Sequence, residues 1–227
     1  MTTVMITGTN RGIGLELARE YAADGARVFS CCRKPQSADK LQRIAAGSGG
    51  RVTIHQLDVT DPADIAALEQ KLGSTPIDIL INSAGISDGR ETGVDYDVWE
   101  KVFRVNSIAP YRVSTAFRAN LAASTEKKLA TISSHLGSIA DNTGGRTAYR
   151  ASKAAVNQVM KGLASEYRRD GITVIILHPG WVRTEMGGPQ APVAPAESAR
   201  GLKQVIAAAS IENTGKFIDY QGKEIPW

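Results

Sequence analysis

The stretch that decides the fold is Val4-Met5-Ile6-Thr7-Gly8-Thr9-Asn10-Arg11-Gly12-Ile13-Gly14, near the start of the sequence. It joins a short apolar segment to a helical pattern through three glycines. Gly8 permits a tight turn, while Gly12 and Gly14 let the backbone approach a pyrophosphate at the start of the helix. A glycine-rich turn alone is weak evidence, but one that follows a first strand and opens an amphipathic helix predicts a dinucleotide-binding fold.

Short apolar strands alternate with helical patterns along the rest of the chain, which predicts βαβ units and a parallel sheet. The strands are nearly continuous in Val, Ile and Leu, as is typical of strands covered by helices on both faces. The predicted strands are Thr3–Thr7, Arg27–Cys32, Val52–Gln56, Ile77–Asn82, Leu129–Ser133, Thr173–His178 and Lys216–Ile218. The predicted helices are Gly12–Ala23, Pro62–Leu72, Asp97–Ala122, Ala148–Asp170 and Ala196–Ala209. Right-handed crossovers then give an α/β fold, a Rossmann-type doubly wound parallel sheet of about seven strands flanked by helices.

Composition limits the classes of function. The 227 residues suit a single dinucleotide-binding and catalytic domain over 1–227, and the net charge of +4 is scattered along the chain. No basic stripe with interleaved aromatic residues is present, so we expect no nucleic-acid binding. Signal-peptide and membrane-span patterns are absent too, which predicts a cytoplasmic protein with no membrane span. The adjacent cysteines, Cys31 and Cys32, fit a reducing compartment and predict neither a disulfide nor a metal site.

The end of the second strand indicates which nucleotide is bound. A dinucleotide fold that prefers NAD carries an acid there for the ribose hydroxyls, but this chain has Cys32 at that place. Arg33 follows directly, and Arg11 lies in the glycine loop. Two guanidinium groups suit a 2′-phosphate, so we predict NADP(H) as the cofactor. The alternative, two solvated surface arginines, leaves the missing acid unexplained.

Two further strand ends carry candidate cofactor contacts. Asp58-Val59 follows the third strand; Asp58 is either a turn or cap residue or the acceptor of the adenine amino group. Asn82-Ser83-Ala84-Gly85 follows the fourth strand, where small residues let the backbone pass close to the cofactor.

The candidate reactive groups lie in the second half. Tyr149 and Lys153 are one helical turn apart, and Ser134 lies fifteen residues before Tyr149. A phenol is a proton donor at neutral pH, and a nearby cation such as Lys153 lowers its pKa by favouring the phenolate. Ser134 can hold a substrate oxygen for hydride attack. Asn106 lies inside a long helix, where it either is structural or interrupts the helix and orders a water in a proton relay.

Together these motifs resemble the short-chain dehydrogenase/reductase family, in its single-domain form, over nearly the whole chain. Pro179-Gly180-Trp181-Val182-Arg183-Thr184 is similar to the family's Pro-Gly turn, whose Thr contacts the nicotinamide. The resemblance implies a catalytic tetrad of Asn106, Ser134, Tyr149 and Lys153. It implies cofactor contacts from Gly8, Asn10, Arg11, Gly12, Ile13, Gly14, Arg33, Asp58, Val59, Asn82, Ala84, Gly85, Tyr149, Lys153, Pro179, Gly180, Val182 and Thr184.

The sequence departs from the usual family pattern at two places. Ser83 replaces the second Asn of the Asn-Asn-Ala-Gly signature, and the separation between Ser134 and Tyr149 is two residues longer than the commonest one. The extra residues fall in Asp141–Arg146. That segment, Leu136–Ile139 and Gly222–Trp227 are similar to sniffer-like carbonyl reductases and to bacterial C-factor signalling proteins.

We therefore expect an NADP-dependent oxidoreductase that transfers a hydride between NADPH and a small-molecule carbonyl (aldehyde, ketone or quinone) or secondary alcohol. The alternative is a nucleotide-binding signalling protein of C-factor type. The substrate pocket is expected between the 86–95 loop, the 135–147 segment and a Pro- and Gly-rich lid at 184–196, with apolar character from Leu136, Trp181 and Met186. Family resemblance also implies a homodimer or homotetramer.

Overall fold

A computed structural model describes residues 1–89 and 95–227. The chain is built around one parallel sheet. The strands are β1 (Thr3–Thr7), β2 (Arg27–Cys32), β3 (Val52–Gln56), β4 (Ile79–Asn82), β5 (Lys128–Ile132), β6 (Thr173–His178) and β7 (Phe217–Asp219). They form one seven-stranded sheet in the order β3-β2-β1-β4-β5-β6-β7. The order reverses between β1 and β4, and every pairing is parallel, so the predicted Rossmann-type sheet is confirmed.

Helices cover both faces of the sheet. They are α1 (Gly12–Ala23), α2 (Asp39–Gly47), α3 (Pro62–Leu72), α4 (Tyr96–Phe103), α5 (Ala109–Ala116), α6 (Arg118–Ala122), α7 (Thr147–Tyr167) and α8 (Pro195–Ala208). Among the described residues, no helix is long and apolar enough to cross a membrane.

Two hydrophobic cores lie on opposite faces of the sheet, because successive side chains of a strand point in opposite directions. In β1, Met5 joins the core with α3, α5 and α7, whereas Val4 and Ile6 join the core with α1, α2 and α8. Phe117 and Tyr167 are fully buried in the first core. This two-sided burial explains why the strands are apolar at nearly every position.

The predicted bounds of β1, β2, β3, β6, α1 and α3 are confirmed, and those of β4, β5, β7, α7 and α8 differ by one to three residues at one or both ends. The sequence did not predict α2, a nine-residue helix in which Leu41 is the only buried side chain. Its apolar face has few residues, Leu41, Ile44 and Ala45, and so short a helix is easily missed in the sequence.

The prediction of one continuous helix over Asp97–Ala122 is wrong. A π-helical turn at Arg104–Ile108 separates α4 from α5, and Phe117 leaves helical geometry before α6. Pro110 has no N–H to donate to the carbonyl of Asn106, four residues earlier, so the regular helical hydrogen bond is lost there. The interruption that we associated with Asn106 is thus confirmed, and Pro110 supplies its physical cause.

Candidate active site

The glycine loop packs tightly against the ends of two strands. The carbonyl of Cys31, in β2, accepts the N–H groups of Gly8 and Thr9, at 2.9 and 3.1 Å, and also the Thr9 hydroxyl. Gly8 has φ +74°, and a Cβ there would lie 2.7 Å from the Cα of Ala84. A Cβ on Gly14 would lie 2.4 Å from the carbonyl oxygen of Gly8. Only glycine fits at these two positions, because the backbone itself occupies the space.

The beginning of α1 suits an anion. Within the described part of the chain, no side chain caps this end of the helix, and its first turn holds no acidic residue. The first amides of a helix have no partner within the helix, and the helix dipole adds positive potential there. A Cβ on Gly12 would lie 3.5 Å from Cγ2 of Thr184, so the Pro-Gly turn lies opposite the glycine loop. The uncapped start of α1 suits a cofactor pyrophosphate, and the Pro-Gly turn lies close beside it.

The arginines expected to select NADP(H) both lie next to carboxylates. Arg11 forms an exposed ion pair with Glu185, in the 184–196 segment. Arg33 lies near Asp58, whose pKa is raised by burial but lowered overall by hydrogen bonds from Thr60 and by the Arg33 charge. Cys32 is buried at the strand end and is a free thiol, as the sequence predicts.

The side chains of two predicted cofactor residues are engaged within the protein. Asp58 accepts the N–H and hydroxyl of Thr60 at 2.9 and 2.7 Å, in the turn that was one of its two interpretations. The amide of Asn82 donates to the Ser114 and Thr131 hydroxyls and ties β4 to its neighbours. Because the side chain of Asn82 is engaged in this way, only its backbone groups are available to contact a cofactor. The role of Asp58 toward adenine stays a prediction.

Tyr149 and Ser134 come together where β5 and α7 meet. Tyr149 lies in the first turn of α7 and is 7% exposed. Burial raises the pKa of its phenol, whereas a hydrogen bond from Ser134 and the positive charge of Arg146 lower it. Ser134 also accepts the backbone N–H of Leu136 at 3.2 Å, which fixes the direction of its hydroxyl. The pair can therefore hold an oxygen atom between two hydroxyl groups.

Lys153 is almost completely buried beside the same ring. Its Nζ donates to the carbonyl of Ile132 at 2.9 Å and lies 5.7 Å from the centre of the Tyr149 ring. Burial lowers the pKa of Lys153 to about 8. A Cβ on Gly85 would lie 3.7 Å from this Nζ, so the Asn-x-Ala-Gly signature passes directly beside the reactive groups. The predicted cofactor segment at Gly85 and the predicted chemical residue Lys153 thus lie side by side at the carboxyl edge of the sheet.

Asn106 is buried and its side chain holds the loop after β4. Its Oδ1 accepts the N–H of Ile86, and its Nδ2 donates to the Ile86 carbonyl, each at 2.9 Å. Nδ2 also donates to the Ser152 hydroxyl at 3.0 Å, which links the loop to α7. The side chain is therefore a structural clamp, while the Asn106 carbonyl loses its regular helical partner at Pro110. Its part in a proton relay stays a prediction.

The sequence missed two charged residues beside Tyr149. The Arg146 guanidinium carbon lies 4.8 Å from the centre of the Tyr149 ring, and Asp88 accepts the backbone N–H of Tyr149 at 3.1 Å. Arg146 precedes Tyr149 by three residues, a helical spacing that gives a weak signal for this contact. Asp88 follows β4 in the loop expected to line the pocket, but nothing in its sequence context marks it.

The Pro-Gly turn and the segment after it are tied together. The Ser198 hydroxyl donates to the Pro179 carbonyl at 2.6 Å, and Trp181 Nε1 donates to the Gly187 carbonyl at 2.8 Å. Val193 N–H donates to the Trp181 carbonyl at 3.2 Å. The opening of this segment as a lid stays a prediction. Of the expected pocket loop 86–95, residues 90–94 lie outside the described part of the chain.

The fold and these groups are those of a Rossmann-type dehydrogenase. A family model described as short chain dehydrogenase matches residues 2–193. The chain therefore belongs to the short-chain dehydrogenase family and is an oxidoreductase.

Relatives and solved structures extend the comparison. C-signal of Myxococcus xanthus is 41% identical over 155 residues, which is 67% of this chain and 93% of that protein. The NADPH-bound carbonyl reductase from chicken fatty liver is 34% identical, with a TM-score of 0.93 over 100% of this chain and 99% of that one. Carbonyl reductase Sniffer of D. melanogaster is 29% identical, with a TM-score of 0.89 over 100% of both chains. The narrower resemblance found in the sequence is thereby confirmed.

Proposed function

We propose that this chain is an NADPH-dependent carbonyl reductase that converts small aldehydes, ketones or quinones to the corresponding alcohols. The observation that carries the proposal is that Ser134 and Lys153 lie beside the buried phenol of Tyr149, on the same edge of the sheet as a glycine loop that fits a dinucleotide. The carbonyl reductases among the structural neighbours support this substrate class.

The proposed residues divide the chemistry between binding and proton transfer. The bound nicotinamide supplies the hydride that reaches the carbonyl carbon. Ser134 holds the substrate oxygen, and Tyr149 gives that oxygen its phenolic proton, so an alcohol forms and a phenolate remains. Lys153 stabilises the phenolate and holds the nicotinamide ribose. The phenol then recovers a proton through a relay that includes Asn106.

The proposed cofactor contacts follow the crevice from one end to the other. The first amides of α1 hold the pyrophosphate, with Arg11 and Arg33 toward the 2′-phosphate of adenosine. The backbone near Asn82 and Gly85 and the turn at Thr184 lie toward the nicotinamide. NADP(H) bound to solved neighbours supports this choice, together with Cys32 in the place of the acid.

The test is NADPH oxidation with a panel of aldehydes, diketones and quinones, measured for the native protein and for Tyr149→Phe. We expect the variant to lower kcat by about 100-fold or more, because it removes the proton donor, and to retain NADPH binding. Tyr167→Phe is a matched control, since its hydroxyl lies on the same helix and donates to the Ser114 carbonyl in the core. Full turnover by Tyr149→Phe contradicts the assignment.

C-signal, a relative at 41% identity, favours a second candidate, a nucleotide-binding signalling protein. This candidate predicts NADPH binding without turnover of any member of the panel, and a signalling output that Tyr149→Phe leaves unchanged. The reductase predicts turnover that the same variant abolishes.

We further propose that residues 1–227 act as one domain, in the cytoplasm, as a homodimer or homotetramer and without a nucleic-acid partner. Family membership supports the assembly, and scattered charge supports the absence of nucleic acid.

A further inference from the structure

Arg146 stands out because its backbone has an unusual conformation immediately before α7. Its φ and ψ are 48° and 46°, in the left-handed region, which costs a residue other than glycine on the order of 1 kcal/mol. It follows Gly144 and Gly145, which also have positive φ, in the segment that holds the two extra residues between Ser134 and Tyr149. Strain of this kind persists where the surrounding contacts determine the side chain strongly.

Two residues of the loop after β4 hold the guanidinium of Arg146. Its Nη2 donates to the Ser87 hydroxyl, and its Nε, which makes no hydrogen bond within the described residues, forms a long ion pair with Oδ1 of Asp88 at 3.9 Å. The other oxygen of Asp88 accepts the backbone N–H of Tyr149 at 3.1 Å. The side chains of Arg146 and Asp88 are only 32% and 15% exposed, so solvent screens this contact weakly. One carboxylate thus aligns the guanidinium with the helix turn that carries the phenol.

We propose that Arg146 is a positioning residue of the active site, which fixes the Tyr149 ring and holds a permanent positive charge over its face. The inference rests on the proposed role of Tyr149 as proton donor. The guanidinium carbon lies 4.8 Å from the ring centre, well within the range of a cation–π contact. When the phenol loses its proton, negative charge spreads into the ring and the attraction strengthens, so Arg146 stabilises the state that forms during reduction.

Other groups act on the same phenol. Burial is the largest influence and raises the pKa of Tyr149, and the negative charge of Asp88 also raises it. Arg146 and the hydrogen bond from Ser134 lower it. The Nζ of Lys153 lies 5.7 Å from the ring centre but donates a hydrogen bond to the Ile132 carbonyl. Of these two cations, Arg146 is therefore the nearer to the ring centre, at 4.8 Å.

Arg150 provides a matched control on the same helix. Its Nε donates to the Gly145 carbonyl and its Nη2 to the Thr143 hydroxyl, each at 3.1 Å. These contacts direct the guanidinium toward the 143–145 loop. Arg150→Gln and Arg146→Gln therefore remove the same charge within four residues of each other, but only Arg146→Gln empties the face of the Tyr149 ring.

The experiment is a titration of Tyr149 itself, followed by phenolate absorbance as the difference between each protein and the same protein carrying Tyr149→Phe. We expect Arg146→Gln to raise the pKa of Tyr149 by about 1 pH unit, which corresponds to the loss of a partly buried cation–π contact. Arg146→Lys is expected to raise the pKa of Tyr149 by less than this, because it keeps the charge, and Arg150→Gln is expected to leave it unchanged. An unchanged pKa in Arg146→Gln, or an equal shift in Arg150→Gln, overturns the proposal.

Two further measurements keep the result interpretable. If Arg146→Gln does not fold, Arg146→Gly relieves the backbone strain, removes the same side chain and is expected to give the same shift. In alcohol oxidation, the acidic limb of the kcat profile is expected to move to higher pH in Arg146→Gln by the shift seen in the titration. The titration needs no turnover, so a failure of the proposed reductase activity is distinguishable from a failure of this inference.

Discussion

The substitution Gly14→Ala tests whether the packing of the glycine loop positions the cofactor site. The added Cβ would lie 2.4 Å from the Gly8 carbonyl oxygen and 3.0 Å from its carbon. These atoms must separate by about 0.6 Å to reach 3.0 Å, a distance below which real Cβ contacts essentially never occur. Gly8 cannot retreat, because its own Cα faces the backbone of Ala84. The start of α1 must therefore move away from the loop.

Forced movement of this size in a packed region costs roughly 1–3 kcal/mol, and the higher helix propensity of Ala returns at most about 1 kcal/mol. We expect Gly14→Ala to lower the free energy of unfolding by about 1–2 kcal/mol in urea, followed by tryptophan fluorescence. The displaced helix amides no longer converge on the pyrophosphate, so the Kd for NADPH is expected to rise about tenfold, equivalent to about 1.4 kcal/mol.

Gly47→Ala is the matched control for this test. Gly47 is exposed at the end of α2, and a Cβ there would meet nothing within 4 Å. We expect this variant to be as stable as the native protein or up to about 1 kcal/mol more stable, with the same Kd for NADPH. If Gly14→Ala matches Gly47→Ala in both measurements, the contact between Gly14 and Gly8 does not determine the position of α1.

The remaining predictions concern charge. Arg33→Ala is expected to lower kcat/KM for NADPH by about tenfold, because one phosphate contact is worth about 1.4 kcal/mol, and to leave kcat/KM for NADH nearly unchanged. Arg27→Ala, at the other end of β2, is the control. Equal losses with both cofactors contradict the 2′-phosphate assignment. Lys153 has a folded pKa of about 8 against 10.5 for the free group, so the folded state loses its proton first and stability rises between these values. We therefore expect the unfolding free energy of the cofactor-free native protein to rise by about 3 kcal/mol relative to that of Lys153→Met as the pH increases from 8 to 10.5. If the two proteins show the same pH dependence, the Lys153 ammonium is not desolvated in the folded state.

Much of the fold could be predicted from the sequence, because each buried strand is a short apolar run between turn residues. Strands such as Val174-Ile175-Ile176-Leu177 need no information from elsewhere in the chain. The helix α2 could not be predicted, since its stability depends on contacts around Leu41 that only the tertiary structure supplies. The break at Asn106 was only one of two interpretations of this residue, and the helix was predicted as continuous although Pro110 was the stronger signal for an interruption.

Residues of the candidate active site could be proposed from the sequence where they stand at the end of a strand or in the first turn of a helix, as Ser134 and Tyr149 do. Residues that act through distant partners were not. Asp88 and Tyr149 are 61 positions apart in sequence, and Ser87 and Arg146 are 59 apart. Their contact depends on how two loops meet above the sheet, which no local pattern encodes. The side chain of Asn82 was equally unpredictable, because its partners Ser114 and Thr131 lie on other elements.

The contacts around Tyr149 therefore fall into two sets with different physical origins. Lys153 is held by the carbonyl of Ile132 at the end of β5, so its place follows from the sheet itself. Arg146 is held by side chains of the loop after β4, and such loops change sequence without disturbing the strands that they connect. In the proposed reaction, the sheet edge positions Lys153, whereas the two loops tune how readily the phenol gives up its proton. That division explains how a chain can keep the family fold and still set its own proton affinity at Tyr149.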